Sequence, residues 1–228
     1  MASSLNIYGD TFVPTTGTHG ADIAVQRMDD LDIRAILFAL QINGDRGSAI
    51  DLGCGAGIQG LRFATLGYPT TLIDWVPEEK TLINLPGLDA TFPVKYLCRD
   101  ARFLDLSDLP LQISICYSQR FIHYLRFSEA VNLFRLLRSR MSADGKLFVS
   151  ASGIQSELAK DYSAANLRIE DRFAKLEQSM ATKHGILESV CLYSENDLVT
   201  LGRLAGFNIE TVFLSPFGNV KAVFNAID

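Results

Sequence analysis

The chain has 228 residues, 48% of them hydrophobic, and a formal net charge of -5. This length suits one domain with an elaboration, and the apolar content is sufficient for a full core. Acidic and basic residues are interleaved without a long basic run, and no apolar run reaches the ~18 residues that span a bilayer, so we expect neither a nucleic-acid nor a membrane partner.

The first 45 residues are predicted to form an N-terminal arm and a covering helix. The arm, around residues 8–15, is rich in turn-forming residues and has no periodicity of its own. Residues 21–40 then carry apolar side chains at helical spacing, which predicts a helix that packs on a sheet. The apolar stripe of this helix comprises Ile23, Val25, Met28, Leu31, Ile33, Ile36, Leu37 and Leu40.

A short apolar strand, residues 47–52, is followed by a glycine-rich loop and then by a new helix. The loop reads Gly53-Cys54-Gly55-Ala56-Gly57, and helical spacing resumes at Ile58. Glycines let the backbone approach a ligand where a Cβ atom would collide with it. The glycines at 55, 57 and 60 also match the G-x-G-x-x-G pattern of NAD-binding folds. Asp51, at the strand end, favours a cationic ligand over a pyrophosphate.

The acid, the apolar residue and the three glycines from Asp51 to Gly57 resemble the first motif of class I S-adenosylmethionine-dependent methyltransferases. This resemblance covers roughly residues 21–152 and 193–227. It implies an α/β fold: a doubly wound, mostly parallel seven-stranded sheet with a C-terminal antiparallel strand, in three α/β/α layers. It also implies S-adenosyl-L-methionine as cofactor, with S-adenosyl-L-homocysteine as product. The cofactor-binding residues that it implies in this loop are Asp51, Gly53, Cys54, Gly55 and Gly57.

The next predicted strand, residues 70–74, ends in a second acid, Asp74, which Trp75 follows. At the end of the second strand in this kind of fold, an acid accepts hydrogen bonds from the ribose hydroxyls of a nucleotide. A flat apolar ring beside the acid can cover the adenine. The alternative is that Asp74 caps a helix over residues 77–85 and that Trp75 merely packs.

The third and fourth strands are predicted at residues 94–98 and 111–117. In the resembled family, the acid after the third strand and the next backbone amide bind the adenine edge, which places Asp100 and Ala101 in the cofactor site. An exposed loop aspartate is the alternative. After the fourth strand the family holds the methionine end of the cofactor and admits the acceptor, which implicates Ser118.

Three residues of the segment after the fourth strand, Arg120, His123 and Tyr124, are the candidate catalytic residues. An acceptor with a proton to lose requires a base, and a histidine has a suitable pKa. The alternative is that His123 lies in a short helical turn and packs under Tyr124. Arg120 could bind an acidic acceptor or pair with a nearby carboxylate.

The rest of the chain is predicted to complete the sheet around an insert. A helix from Ser128 to about residue 141, a turn over residues 143–146 and a strand over 147–151 lead to the insert at 153–192. A helix over residues 166–180 would make this insert a lid or a structural brace. Its candidate acceptor contacts are Arg168, Arg172 and His184; Tyr8, Phe12 and His19 of the arm are candidate ligand contacts by analogy with similar enzymes.

The closing part of the chain begins with the helix-start pattern Ser194-x-x-Asp197, followed by strands at residues 208–215 and 220–227. The whole chain is thus predicted to be one domain with four parts: the arm and covering helix at 1–45, the cofactor-binding core at 46–152, the helical insert or lid at 153–192, and the closing helix and hairpin at 193–228.

The cysteines and histidines indicate no metal site. Cys54, Cys98, Cys116 and Cys191 form no C-x-x-C motif, and the three histidines lack ligand spacing, so we expect reduced thiols. The start of the chain lacks the charged and apolar segments of a secretion signal, and a cytoplasmic location is therefore expected.

These expectations converge on methyl transfer from S-adenosylmethionine to a small-molecule acceptor by in-line displacement. The segment after the fourth strand lacks the N-P-P-Y type motif of amino-directed nucleic-acid methyltransferases, and no cysteine follows a proline. A non-catalytic cofactor-binding protein and an NAD-dependent reductase are the alternatives, although the reductase's Tyr-x-x-x-Lys is absent. A homo-oligomer is compatible with the sequence.

Overall fold

The computed structural model describes residues 28–42, 46–77 and 92–226. Within them, the helices are α1 (Asp30–Gln41), α2 (Ile58–Thr65), α3 (Phe127–Arg138), α4 (Gln178–His184) and α5 (Glu195–Leu204). The strands are β1 (Ser48–Leu52), β2 (Thr70–Asp74), β3 (Val94–Cys98), β4 (Ile113–Gln119), β5 (Met141–Ala151), β6 (Phe173–Ala174), β7 (Val190–Cys191), β8 (Asn208–Leu214) and β9 (Val220–Asn225).

The central sheet has seven strands in the order β3-β2-β1-β4-β5-β9-β8. Strands β1 to β5 pair in parallel, whereas β9 runs antiparallel to both of its neighbours, β5 and β8. The predicted fold class is therefore confirmed, including the antiparallel strand near the C-terminus. In such a sheet, ligands bind at the carboxyl ends of the strands, next to the point where the strand order reverses.

Helices cover the sheet on both faces, and this gives the three predicted layers. One face packs α1 and α2 against a cluster that includes Phe63, Tyr117 and Phe148. The other face packs α3 and α5 against a larger cluster around Phe134 and Phe224. The inner strands are apolar on both faces because both faces are covered.

The register of the inner strands brings the candidate residues to one edge. Asp51 of β1 lies opposite Leu72 of β2 on one side and Tyr117 of β4 on the other. Since these strands are parallel, the loops after β1, β2 and β4 leave the sheet side by side.

The first covering helix is shorter than predicted, and its buried face differs. Within the described residues it begins at Asp30, because Asp29 caps it by accepting the amides of Leu31 and Asp32. Its predicted apolar stripe is wrong in part, since Leu37 and Leu40 are more than half exposed. Its buried residues are Leu31, Asp32, Ala35 and Ala39.

Several element boundaries also differ from prediction. The helix cap predicted at Ser128 is wrong: α3 begins at Phe127, and the amide of Arg126 donates to Glu129 Oε2 at 2.8 Å. Strand β4 begins at Ile113, because Leu111 is exposed. The predicted turn at residues 143–146 is an irregular part of β5, where the register against β4 shifts.

The insert contains short elements instead of the predicted helix over residues 166–180. A 3-10 helix (Ile169–Asp171) leads into β6, which pairs antiparallel with β7, and Glu177 caps α4. The insert has its own small apolar core, which includes Tyr162, Met180 and Leu192. Two of the predictions lie outside the described residues. They concern the arm residues Tyr8, Phe12 and His19, and the helix over 77–85 except for its first residue.

None of the helices that the structure describes is both long enough and apolar enough to cross a membrane.

Candidate cofactor and acceptor site

The glycine loop after β1 has a backbone that side-chain-bearing residues rarely adopt. Gly53, Gly55 and Gly57 have φ values of 66°, 51° and 74°. The amide of Gly53 donates to the carbonyl of Ile73 at 2.8 Å, which fastens the loop to the end of β2. A Cβ atom on Gly53 would overlap the ring of Phe121, from the segment after β4. The loop is therefore built around glycine, and its conformation keeps it close to both neighbouring loops.

Asp51 supports this loop from the buried side. Its side chain is 3% exposed, and its Oδ2 accepts the amide of Gly60, in α2, at 2.7 Å. A Cβ atom on Gly60 would overlap Leu72 and would lie 3.0 Å from Asp51 Cβ. The third glycine of the G-x-G-x-x-G pattern thus serves the packing of α2 on the sheet.

Asp74 connects the end of β2 to the same loop. Its Oδ2 accepts the amide of Gly55 at 3.0 Å, and its Oδ1 accepts the amide of Val76 at 3.2 Å. Trp75, next to it, is 51% exposed. The second acid therefore lies against the glycine loop, and the residue that follows it in the chain is a half-exposed tryptophan.

Asp100 has a strong partner that the sequence analysis did not anticipate. Its carboxylate accepts two hydrogen bonds from the Arg102 guanidinium, at 3.0 Å from Nε and 2.6 Å from Nη2, and it also accepts the Arg102 amide. These bonds lower the pKa of Asp100. The following residue, Ala101, is buried and begins a 3-10 helix (Ala101–Phe103).

The end of β4 carries a buried polar atom and a strained residue. Ser118 is fully buried, and its Oγ has no hydrogen-bond partner among the residues that the structure describes. Arg120 has a φ of 51°, and its amide donates to both the carbonyl and Oγ of Ser150 at 3.0 Å. The left-handed region costs a residue with a Cβ atom ~1 to 2 kcal/mol, so these bonds hold the backbone of Arg120 in an unfavourable conformation.

His123 and Tyr124 lie in a 3-10 helix (Ile122–Tyr124) directly after Arg120. His123 is 2% exposed, and its Nδ1 accepts the amide of Ser152 at 3.5 Å. Its ring centroid lies 4.1 Å from that of Tyr124. Burial raises the pKa of Tyr124, and the charge of Arg120 offsets only part of this rise. The phenol of Tyr124 therefore stays protonated at neutral pH.

A buried ionic cluster, which the sequence analysis missed, fixes α1 to this edge of the sheet. Lys221 of β9 is 4% exposed, and its Nζ donates to Asp29 Oδ2 at 2.7 Å and also to Asp30. Gln119, at the end of β4, donates to the same Asp29 oxygen at 2.6 Å. The signal in the sequence was a single lysine within the apolar strand Val220–Asn225.

Next to this cluster, Asp32 is a buried acid of α1. It accepts the Tyr117 hydroxyl and the amide of Asp29, the latter at 2.7 Å. Burial raises the pKa of Asp32, and the Tyr117 hydrogen bond opposes the rise. The helix is therefore attached to the sheet through buried polar groups as well as through its apolar residues.

The insert residues that were candidate acceptor contacts have internal partners. Arg172 is buried and donates to the carbonyls of Leu167 and Leu192 and to Asp197 Oδ2, the last at 2.6 Å. It therefore connects the insert to α5, and its burial shows that it does not belong to a solvated face. Arg168 is exposed and pairs with Glu170, and His184 Nε2 lies 3.3 Å from Glu157.

Within residues 28–42, 46–77 and 92–226, no three His, Cys, Asp or Glu side chains converge as metal ligands would.

The strand order and the position of the glycine loop define the class I S-adenosylmethionine-dependent methyltransferase fold. A protein from Pyrococcus horikoshii OT3 is similar over 85% of this chain and 87% of its own, with a TM-score of 0.62 and 16% identity. The 1,6-didemethyltoxoflavin-N1-methyltransferase of Burkholderia thailandensis, solved with 1,6-didemethyltoxoflavin and S-adenosylhomocysteine, is similar over 91% of this chain and 82% of its own (TM-score 0.60, 15% identity).

A third similar structure is a SAM-dependent methyltransferase from Methanosarcina mazei, with a TM-score of 0.58 and 16% identity over 84% of this chain and 97% of its own. At these identities the likeness establishes the fold. No protein-family model matches the chain, and no curated protein sequence matches it significantly.

Proposed function

We propose that this protein transfers a methyl group from S-adenosyl-L-methionine to a small-molecule acceptor. The observation that carries the proposal is the contact of Asp74 with the glycine loop, at the amide of Gly55, within a class I methyltransferase fold. This contact sets a carboxylate beside a loop whose three glycines leave little side-chain bulk. A vicinal diol of a nucleoside could donate two charge-assisted hydrogen bonds to that carboxylate.

The residues at the carboxyl edge fit such a cofactor. The backbone of Gly53, Cys54, Gly55 and Gly57 would receive its methionine end, because each of these glycines has a positive φ and the loop offers little side-chain bulk. Ser118 adds a buried hydroxyl, and a buried polar group without a partner is costly unless a ligand or water satisfies it.

The nucleoside end would contact a second set of residues. Asp74 would accept the ribose hydroxyls, and Trp75 would cover the adenine with its exposed ring. Asp100 and Ala101 would lie at the adenine edge, with the carboxylate held in place by Arg102. Asp51 would act indirectly, by holding Gly60 and hence the start of α2.

The acceptor would lie beside the turn that contains Arg120, His123 and Tyr124. When bound, the sulfonium cofactor supplies an activated methyl group, so the protein mainly has to align the acceptor and exclude water. Such alignment can contribute ~7 to 11 kcal/mol to the lowering of the barrier. A small-molecule acceptor is supported by the net charge of -5 and by the small substrate in the similar Burkholderia thailandensis enzyme.

A cytoplasmic location is part of the proposal. Its support is that Cys54, Cys98, Cys116 and Cys191 are all free thiols in the structure, as is usual in a reducing compartment.

Calorimetric titration with S-adenosylmethionine, S-adenosylhomocysteine and NADH tests the proposed cofactor. We expect both sulfur nucleosides to bind and NADH not to bind. Asp74→Ala should weaken the binding of S-adenosylhomocysteine at least ~10-fold, because it removes the proposed hydrogen bonds to the ribose, each worth ~1.5 to 3 kcal/mol. Asp144→Asn, at an exposed acid of β5, is the matched control and should leave affinity unchanged.

Transfer of labelled methyl groups into a metabolite extract tests catalysis. Tight binding without any transfer would favour the non-catalytic cofactor-binding protein. Binding of NADH without either sulfur nucleoside would favour the reductase and contradict the proposal.

A further inference from the structure

The turn after β4 borders the glycine loop, and its side chains carry hydrogen-bond donors. A Cβ atom on Gly53 would overlap Phe121, so the two segments are in direct contact. Arg120 precedes Phe121, and the 3-10 helix with His123 and Tyr124 follows it. If the cofactor lies on the glycine loop as proposed above, this turn is next to the transferred methyl group.

One hydrogen bond to His123 indicates which ring nitrogen carries the proton. The amide of Ser152 donates to Nδ1, so Nδ1 presents a lone pair. A neutral imidazole then carries its hydrogen on Nε2. The opposite tautomer would set the Nδ1 hydrogen against the Ser152 amide hydrogen. His123 is therefore arranged to donate a hydrogen bond through Nε2 and not to accept a proton there.

Four carboxylates that the structure describes at this edge already accept hydrogen bonds from the protein itself. Asp51 accepts from Gly60, Asp74 from Gly55 and Val76, and Asp29 from Gln119 and Lys221. A fourth, Asp100, is held by two bonds from the Arg102 guanidinium. The oxygen lone pairs that accept these hydrogen bonds hold the site together. The four carboxylates are therefore poorly suited to removing a proton from an acceptor.

Two residues close to His123 in the chain, Arg120 and Tyr124, carry hydrogen-bond donors. The guanidinium of Arg120 has only hydrogen-bond donors and no acceptor. The Tyr124 phenol stays protonated because burial raises its pKa. A positive charge and neutral donors together suit a negatively charged group.

We infer that the acceptor is bound and methylated as an anion, such as a carboxylate, an acidic phenol or a thiolate, with His123 as a hydrogen-bond donor to it. In this reaction the acceptor's lone pair forms the bond to the methyl carbon, the carbon–sulfur bond breaks, and its electron pair stays on sulfur. The anion and the sulfonium neutralise each other, and no proton has to be removed by the protein. This inference rests on the proposed function.

The first test is the tautomer of His123, measured by ¹⁵N NMR of the imidazoles in the full-length protein saturated with S-adenosylhomocysteine. The signals of His123 are assigned by their loss in His123→Gln. We expect hydrogen on Nε2 and an unprotonated Nδ1. Hydrogen on Nδ1 alone would overturn the inference, whatever the acceptor is.

The second test compares two variants in labelled-methyl transfer to a small-metabolite extract. His123→Gln keeps a donor near Nε2 but cannot act as a base, whereas His123→Leu lacks both functions. We expect His123→Gln to stay within ~5-fold of wild type with the same pH profile, and His123→Leu to lose ~30-fold or more. A catalytic base contributes ~100- to 10,000-fold, so an equal loss of that size in both variants would contradict the inference.

Lys183→Gln, at an exposed lysine paired with Glu157, is the control and should behave as wild type. Mass spectrometry of the labelled product decides the acceptor class: an ester, aryl ether or thioether is expected, and a methylated amine or aliphatic alcohol would overturn the inference. Unchanged S-adenosylhomocysteine affinity in the variants shows that they fold. Failure of wild type to bind this nucleoside at all would count against the proposed function instead.

Discussion

Replacing Lys221 by methionine should destabilise the protein through the loss of a buried cation. Methionine preserves the length and most of the volume of the side chain, so the change mainly removes the charge. In the wild type, Lys221 Nζ contacts Asp29 and Asp30, and its side chain is 5% exposed. The variant would leave two carboxylates of α1 facing a thioether.

The exposure of the two acids sets the magnitude. Removing one partner of a fully buried pair costs ~3 to 5 kcal/mol, whereas an exposed pair contributes ~0 to 1 kcal/mol. The side chains of Asp29 and Asp30 are 27% and 50% exposed, so both can recover part of their hydration. We therefore expect Lys221→Met to lower the free energy of unfolding by about 2 kcal/mol, or the Tm by about 4 to 8 °C.

Urea denaturation measures this loss, and Lys146→Met provides the control. Lys146 pairs with Glu210 at the surface, with side chains 24% and 38% exposed, so its replacement should cost less than ~1 kcal/mol. The double variant Lys221→Met, Asp29→Asn should be less destabilised than the sum of its single changes, because the two residues interact. A loss in Lys221→Met no larger than that in Lys146→Met would refute the reasoning.

Three further predictions concern single residues. Gly60→Ala should lower the free energy of unfolding by about 1 to 3 kcal/mol in urea denaturation, because the new Cβ atom overlaps Leu72; an unchanged value would contradict the close packing. Arg120→Gly should be about 0.5 to 1 kcal/mol more stable than Arg120→Ala, since only glycine adopts a φ of 51° without strain, and equal stability of the two would show that no strain is present. Burial raises the pKa of Asp32, so the folded state holds a proton that the unfolded state has lost, and wild-type stability falls as pH rises above the unfolded value. The stability advantage of wild type over Asp32→Asn should therefore be larger at pH 4 than at pH 7 in urea midpoints, and a constant difference would show that Asp32 titrates normally.

The parallel part of the sheet could be predicted because its strands are short and rich in apolar residues. The predicted bounds of β2 and β3 agree with the structure, and the Ser194–Asp197 pattern caps α5 as expected. In these segments the local signal and the tertiary environment agree, so periodicity alone was sufficient.

The elements that were predicted wrongly depend on polar contacts between distant residues. The buried face of α1 includes Asp32, whose partner Tyr117 is 85 positions away, and the stripe of apolar residues could not reveal it. The conformation of the insert depends on Arg172, which donates hydrogen bonds to two backbone carbonyls and to the carboxylate of Asp197. A helical pattern around such a residue is misleading, because tertiary hydrogen bonds override propensity.

The candidate site was predictable in its position and less so in its internal contacts. The loop glycines and Asp74 lie together, as their places at strand ends indicated. The bonds of Asp100 to Arg102 and of Lys221 to α1 were not foreseen. They depend on which side-chain atoms meet, and sequence spacing does not determine this.

A crystal structure of the protein with S-adenosyl-L-homocysteine tests the central claim most directly. We predict density for the ligand along the glycine loop, with its amino-acid end beside Gly53 and its ribose hydroxyls on the Asp74 carboxylate. The nucleoside bound elsewhere, or an empty crevice beside Gly53 at saturating ligand, would contradict the account.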